Sequence, residues 1–153
     1  MTTSYKTWVK RTGKRKGYLK CGNGLETEFG APAGAHGKRG RLTPEDAFVA
    51  AVNTCIHMMF LWVADRLKLD LVSYECEAEG FVKQYLDKTE EFTHVVLRPR
   101  ITVRNDDGSR VRRALEITRK YSLIAASMKS DLVIEPVILV EGTAELDESA
   151  PTG

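Results

Sequence analysis

Residues that bind metals or form disulfides are scarce in this chain. Its three cysteines, Cys21, Cys55 and Cys76, are odd in number and widely spaced, and no pair forms a C-x-x-C. Such a set suggests neither a disulfide framework nor a structural zinc site. The three histidines, His36, His57 and His94, are equally scattered. Reduced thiols in a cytoplasmic protein are the simplest reading. Neither sign of charge dominates, with 23 basic against 21 acidic residues, so no global field points to nucleic acid or to an anionic membrane. The stretch from Met1 to Lys20 lacks the apolar core of a secretory signal.

Two glycine- or lysine-rich segments also lack what a phosphate site needs. A-P-A-G-A-H-G-K-R-G-R-L leads into a helix, as phosphate loops do, but contains no G-x-x-x-x-G-K-[ST]. The helix it precedes opens with a proline and two acids, which argues against nucleotide binding. K-R-T-G-K-R-K falls where a hairpin turn belongs and reads as a solvated loop, with a phosphate or carboxylate contact as the alternative. At 153 residues the chain fits one domain, expected over 1–146, followed by a disordered tail over 147–153.

What the chain has in abundance is one apolar helix, predicted over Thr43 to Leu67. Thr43 can cap it, Pro44 suits the first helical position and Asp46 stands where a capping box needs an acid. Glu45 and Asp46 place negative charge at the positive end of the helix dipole. From Ala47 to Ala64 the polar interruptions are Asn53, Thr54 and His57. A helix apolar on every side is a core helix or a membrane span. This one is marginal in length for a bilayer and carries a histidine and an asparagine, so burial between sheets or across a subunit interface is expected instead. Cys55 lies near its middle.

Around this helix the chain reads as α+β in the order β-β-β-α-β-β-α-β, with an antiparallel sheet. Residues 4–30 alternate in short runs broken by T-G-K-R-K-G and G-N-G, a β-meander. L-V-S-Y-E-C-E-A-E-G-F-V and F-T-H-V-V-L-R-P-R-I-T-V-R read as strands, with Pro99 expected at an edge or bulge. N-D-D-G is a turn, and a helical period runs from Ser109 to about Lys129. A single last strand, L-V-I-E-P-V-I-L-V-E-G-T-A-E-L, closes the fold. Two helices on one sheet face leave part of the first helix uncovered, so a dimer that buries the Cys55 helix is predicted.

T-P-E-D-A-F-V-A-A-V-N-T-C opening the apolar helix, G-A-P-A-G-A-H-G-K-R-G before it, and A-L-E-I-T-R-K-Y-S-L-I-A-A-S-M-K later together resemble the OsmC/Ohr family of organic hydroperoxide reductases. The resemblance covers most of the chain in order. It implies an intertwined α+β dimer, with sites at the subunit interface, that reduces organic hydroperoxides to alcohols without metal, haem or flavin and is recycled by a small thiol, a dithiol or a lipoyl-bearing protein. It assigns the reactive cysteine to Cys55, its acidic partner to Glu45 and the site arginine to Arg15, with Arg39 and Arg41 competing. One position departs from the pattern: Ser122 stands where the family carries its second cysteine. An outside thiol, or Cys21 or Cys76, would then have to reduce a Cys55 sulfenic acid.

Physical chemistry says why a cation is needed. The thiolate is the nucleophile, and apolar burial disfavours it. Cys55 is twelve residues from Thr43, about 18 Å along a helix axis, beyond help from the dipole. An arginine supplies a charge that does not titrate, and Glu45 could hold it. Glu45 and Cys55, ten residues apart, would lie about 15 Å and roughly 80° apart on a straight helix. Either the helix breaks between them, or Glu45 and its arginine serve the Cys55 of the other subunit. His57 points to another face and reads as a core histidine, while Met58, Met59, Phe60 and Trp62 are core or line a pocket for a lipid-like peroxide. The alternative function is a non-catalytic dimer that binds or senses a small hydrophobic ligand. Neither nucleic acid nor a membrane is expected as a partner.

Overall fold

Alternating runs between glycine turns make the first three strands. In the computed structural model, which describes residues 2–141, these are β1 (Thr7–Gly13), β2 (Lys16–Cys21) and β3 (Glu26–Gly30), an antiparallel meander in the order β1-β2-β3. Gly17 pairs with Phe29 across β2 and β3, and a Cβ there would come within 2.6 Å of the Phe29 ring. That close approach requires glycine. A single 3-10 turn at Ala33–Ala35 follows, and Gly30 N–H donates to the Leu42 carbonyl at 2.9 Å, tying the loop back to β3.

The helix α1 (Pro44–Arg66) begins as its caps dictate. The Thr43 hydroxyl accepts from the Asp46 N–H and donates to the Asp46 carboxylate, both at 3.0 Å. Contacts divide the chain into two compact units, Met1–Phe48 and Val49–Gly153, and α1 runs from one into the other.

In the second unit, β4 (Asp70–Gln84) pairs antiparallel with β5 (Glu90–Arg104) along nearly its whole length. Helix α2 (Ser109–Tyr121) starts after the N-D-D-G turn, where Asp106 and Asp107 carboxylates accept from the Gly108 and Ser109 N–H groups at 2.9 Å each. Gly108 supplies the positive φ of 91° that the turn needs. A short α3 (Leu123–Ser127) follows, then β6 (Asp131–Ile134) and β7 (Val137–Glu141).

The α+β class and the strand–helix succession are as expected, with three differences. The helical period from Ser109 is split at Ser122 into α2 and α3. The last strand is split by Glu135 and Pro136, because a proline has no N–H for the ladder. Both of its parts lie parallel to β5, so this sheet is mixed rather than antiparallel. Pro99 is neither at an edge nor at a bulge. It pairs with Cys76 inside β5 and falls between the residues that β6 and β7 engage, 94–97 and 100–104. The tail expected over 147–153 lies outside the described residues.

The core of this unit joins the buried stripe of α1 to β5 and α2: Phe60, Val63 and Ala64 pack with Ile101, Val103, Val111, Ala114 and Leu115. Each large side chain fully enclosed there contributes about 1.5–3 kcal/mol. The stripe Val52, Ile56, Phe60, Val63 steps by three and four, one face of a helix. Helix α1 is long and apolar enough to cross a membrane by composition, yet only 28% of its most apolar window is buried. Met58 and Trp62, 64% and 50% exposed, lie outside the buried stripe.

Candidate functional site

Ser122 builds the site by ending one helix and starting another. Its N–H closes α2 on the Thr118 carbonyl at 3.0 Å, and its backbone is extended (φ −70°, ψ 117°). Its hydroxyl then accepts from the Ala125 N–H at 3.3 Å, capping α3. The chain turns at that point, and the fully buried hydroxyl is left 3.0 Å from Cys55 Sγ. These two residues are 67 positions apart in sequence. Ser122, taken as the second-cysteine position, therefore sits beside Cys55.

Cys55 is half-buried and lines a groove of about 380 Å³ with Met58, Met59, Trp62 and Tyr121. The walls are apolar, with a soft thioether pair on one helix turn and two aromatic rings. A cation lies over each ring: the Arg66 guanidinium is 4.8 Å from the Trp62 centroid and Lys120 Nζ 5.4 Å from that of Tyr121. An apolar molecule with a reactive oxygen could enter and meet the sulfur. From the sequence Tyr121 or Ser122 falls on the apolar face of the second helix, with no place at the site, although Tyr121 immediately precedes Ser122.

The other thiols stand elsewhere. Cys76 lines a second groove of about 270 Å³ with Asn53, His57 and Tyr74, which shares Met58 with the first. The Asn53 amide donates to the Cys76 carbonyl at 3.3 Å, and the His57 ring meets Tyr74 edge-on at 4.4 Å. Asn53 and His57 are each two positions from Cys55, which on a helix is about 200° round the axis. Cys76 thus lies on the opposite flank of α1 from the Cys55–Ser122 pair. Burial pushes the Cys76 thiol up from its ordinary value, which favours the protonated, less nucleophilic form. Burial likewise pushes the Tyr74 phenol up, with the Cys76 thiol nearby adding to the shift. The Tyr74 hydroxyl has no partner of sound hydrogen-bond geometry. His57, packed on Tyr74, has the surroundings of a core histidine. Cys21 ends β2 in the first unit and is half-buried.

The first unit holds the remaining named residues. Arg15 and Glu45 line one pocket of about 610 Å³, together with Lys10, Arg11, Phe29 and Pro32. The Arg15 carbonyl accepts from the Ala31 N–H at 3.3 Å, which fixes the hairpin turn against the loop. Arg41 is held by Glu28, Nε to Oε1 at 3.1 Å, and Arg39 is exposed. Of the three candidate arginines, Arg15 is the one that shares a pocket with Glu45. The two make no ion pair with each other among the described residues. Helix α1 is unbroken from Pro44 to Arg66, so a break between Glu45 and Cys55 does not occur.

An α+β fold with a cysteine midway along an apolar helix, facing the start of a later helix, defines the class. Residues 35–137 match the family model for OsmC-like protein, and the chain belongs to that family. Solved structures agree in fold. An OsmC-like protein of unknown function from Vibrio cholerae superposes with a TM-score of 0.81 at 20% identity, covering 89% of this chain and 100% of its own. An organic hydroperoxide resistance protein from Legionella pneumophila gives 0.71 at 19% identity, covering 91% and 100%. One from Elizabethkingia anophelis gives 0.70 at 16% identity, covering 92% and 98%. Among curated proteins, no relative matches the chain at a significant level.

Proposed function

We propose that this protein is a thiol-dependent organic hydroperoxide reductase that acts in oxidative-stress defence, with Cys55 as its reactive thiol. One observation carries the reading: Cys55 Sγ stands in an apolar groove, 3.0 Å from a buried hydroxyl. Membership of the OsmC-like family and the organic hydroperoxide resistance proteins among its structural neighbours support it.

In the proposed step the Cys55 thiolate attacks the outer oxygen of R–O–OH. The O–O bond breaks, an S–O bond forms, sulfur loses two electrons and the alkoxide leaves to take a proton as the alcohol. An external thiol then attacks the sulfenic sulfur and displaces water. A second thiol resolves the mixed disulfide, returning the Cys55 thiol and an oxidised dithiol. A dithiol or lipoyl-bearing protein supplies both thiols from one molecule. The two neighbouring apolar walls favour a peroxide with an apolar body, since hydrogen peroxide buries nothing against them.

Arg15 and Glu45 have their role in a homodimer, where one subunit's pair supports the partner subunit's Cys55. The incomplete burial of α1 and the unbroken run of that helix favour this arrangement over service within one chain. A cytoplasmic location fits three free thiols. The test is consumption of cumene hydroperoxide with dithiothreitol as reductant. Wild type turns over and Cys55→Ala does not; equal rates would end the proposal. Saturable binding of an apolar ligand without peroxide consumption would support the ligand-binding reading instead.

A further inference from the structure

We infer that Ser122 is a positioning residue for the reactive sulfur: its hydroxyl donates to Cys55 Sγ, before and after oxidation. The inference rests on the reading of Cys55 as the peroxide-reactive thiol and adds to it how the sulfur is held and why its oxidised form persists.

The direction of the hydrogen bond follows from what each group can do. Ser122 Oγ has one proton and two lone pairs. One lone pair accepts from the Ala125 N–H at 3.3 Å, and the Ser122 side chain is wholly buried. Among the described residues the one acceptor within reach of its proton is Cys55 Sγ, at 3.0 Å. Were Cys55 the donor, the serine proton would be buried without a partner, which costs about 1–3 kcal/mol. The hydroxyl therefore donates, and the thiol's own proton is free to point into the groove bounded by Met58 and Tyr121. When that proton leaves, the serine hydroxyl meets a full negative charge and the bond becomes charge-assisted. When sulfur is oxidised, the new oxygen takes the direction of the groove and the serine still holds the sulfur from behind.

The same geometry places a hydroxyl, not a resolving thiol, beside the sulfur. A hydroxyl cannot exchange with a sulfenic acid to give a disulfide, and Cys76 lies on the opposite flank of α1. The sulfenic acid waits for a thiol that reaches it through the groove. Conversely, a sulfur put in place of Ser122 Oγ would start about 3 Å from Cys55 Sγ, close enough to close on it at the 2.05 Å of a disulfide.

Stopped-flow oxidation of the homogeneous protein by cumene hydroperoxide, with dimedone trapping and intact mass, tests this on wild type, Ser122→Ala, Ser122→Thr and Ser122→Cys. Ser122→Ala is expected to oxidise about tenfold more slowly, the smaller end of what one hydrogen bond to a charge contributes. Ser122→Thr, which keeps the hydroxyl, recovers the rate to within about threefold of wild type. Ser122→Cys gives loss of two hydrogens in place of the dimedone adduct. The wild-type infrared S–H band, assigned by its loss in Cys55→Ala, is expected at the frequency of a thiol that donates no hydrogen bond. That last readout needs no Ser122 variant to fold. A Ser122→Ala rate equal to wild type, or an S–H band lowered by donation, overturns the inference while leaving the peroxidase reading intact. Failure of the wild type itself to be oxidised overturns the peroxidase reading, and the inference with it.

Discussion

Replacing Trp62 by alanine separates an apolar substrate groove from a thiol that merely happens to be oxidisable. Trp62 is half exposed and forms one wall of the groove beside Cys55. A bound cumyl group resting on the indole would cover about 50 Å² of apolar surface, worth about 1.2 kcal/mol at 25 cal/mol per Å². Removing that wall is therefore expected to lower kcat/KM for cumene hydroperoxide about eightfold. Hydrogen peroxide gains nothing from the wall, so its rate constant should change less than twofold. The assay is initial-rate peroxide consumption under saturating dithiothreitol, with both peroxides on the same protein preparations. An equal loss for both substrates would mean that the mutation disturbs Cys55 itself. No loss for cumene hydroperoxide would mean that the groove is not where the substrate lies, and the reasoning about its walls would fall.

Three further outcomes follow from the geometry. With Arg15 as the proposed site cation, Arg15→Ala should lower peroxide turnover by about 100-fold or more, whereas Arg41→Ala, whose guanidinium is committed to Glu28, should leave it nearly unchanged. Tyr74→Phe and Thr118→Val each remove a buried hydroxyl that has no partner, so each should leave stability unchanged or raise it by about 1 kcal/mol, a melting temperature higher by roughly 2–4 °C. Cys76 has its thiol pushed up by burial, so it stays neutral at pH values where an unfolded cysteine has begun to ionise. Its alkylation by iodoacetamide at pH 9 should be slower in the folded protein than in urea, and the gap should narrow as the pH rises further.

What could be read from the sequence was set by neighbouring residues. The start of α1 depends on Thr43 and Asp46, three positions apart, and their two hydrogen bonds form as the capping pattern requires. The meander depends on its glycine turns, and the α2 turn on Asp106, Asp107 and Gly108. Features decided over long distances stayed hidden. Nothing local reveals that β6 and β7 lie parallel to β5, because the choice is made against residues some 37 positions earlier. The break at Ser122 escaped the helical period because Leu123, Ile124 and Ala125 continue it well. The serine's own cap, and its fit against Cys55, decide the matter instead.

The site was legible by the same measure. Cys55 stood out as a thiol in an apolar helix, but its nearness to Ser122 could be reached only through the family resemblance. The resemblance assigned the site arginine to Arg15, with Arg39 and Arg41 competing, and no spacing in the sequence separates the three. In the structure Arg41 pairs with Glu28, and Arg15 shares a pocket with Glu45. No spacing rule placed Cys76 near Cys55 or away from it, and its hydrogen bond from Asn53 and the groove it shares with His57 put it on the other flank of the helix.

The most direct test of the account is intact mass after one equivalent of cumene hydroperoxide, with dimedone present, for wild type and Cys55→Ala. The account predicts a single dimedone adduct on wild type and none on Cys55→Ala, the mark of a Cys55 sulfenic acid without an internal resolving thiol. Loss of two hydrogens in the wild type would mean that Cys21 or Cys76 reaches Cys55 after all. An unchanged mass would contradict the central claim, because the groove thiol would then not react with peroxide.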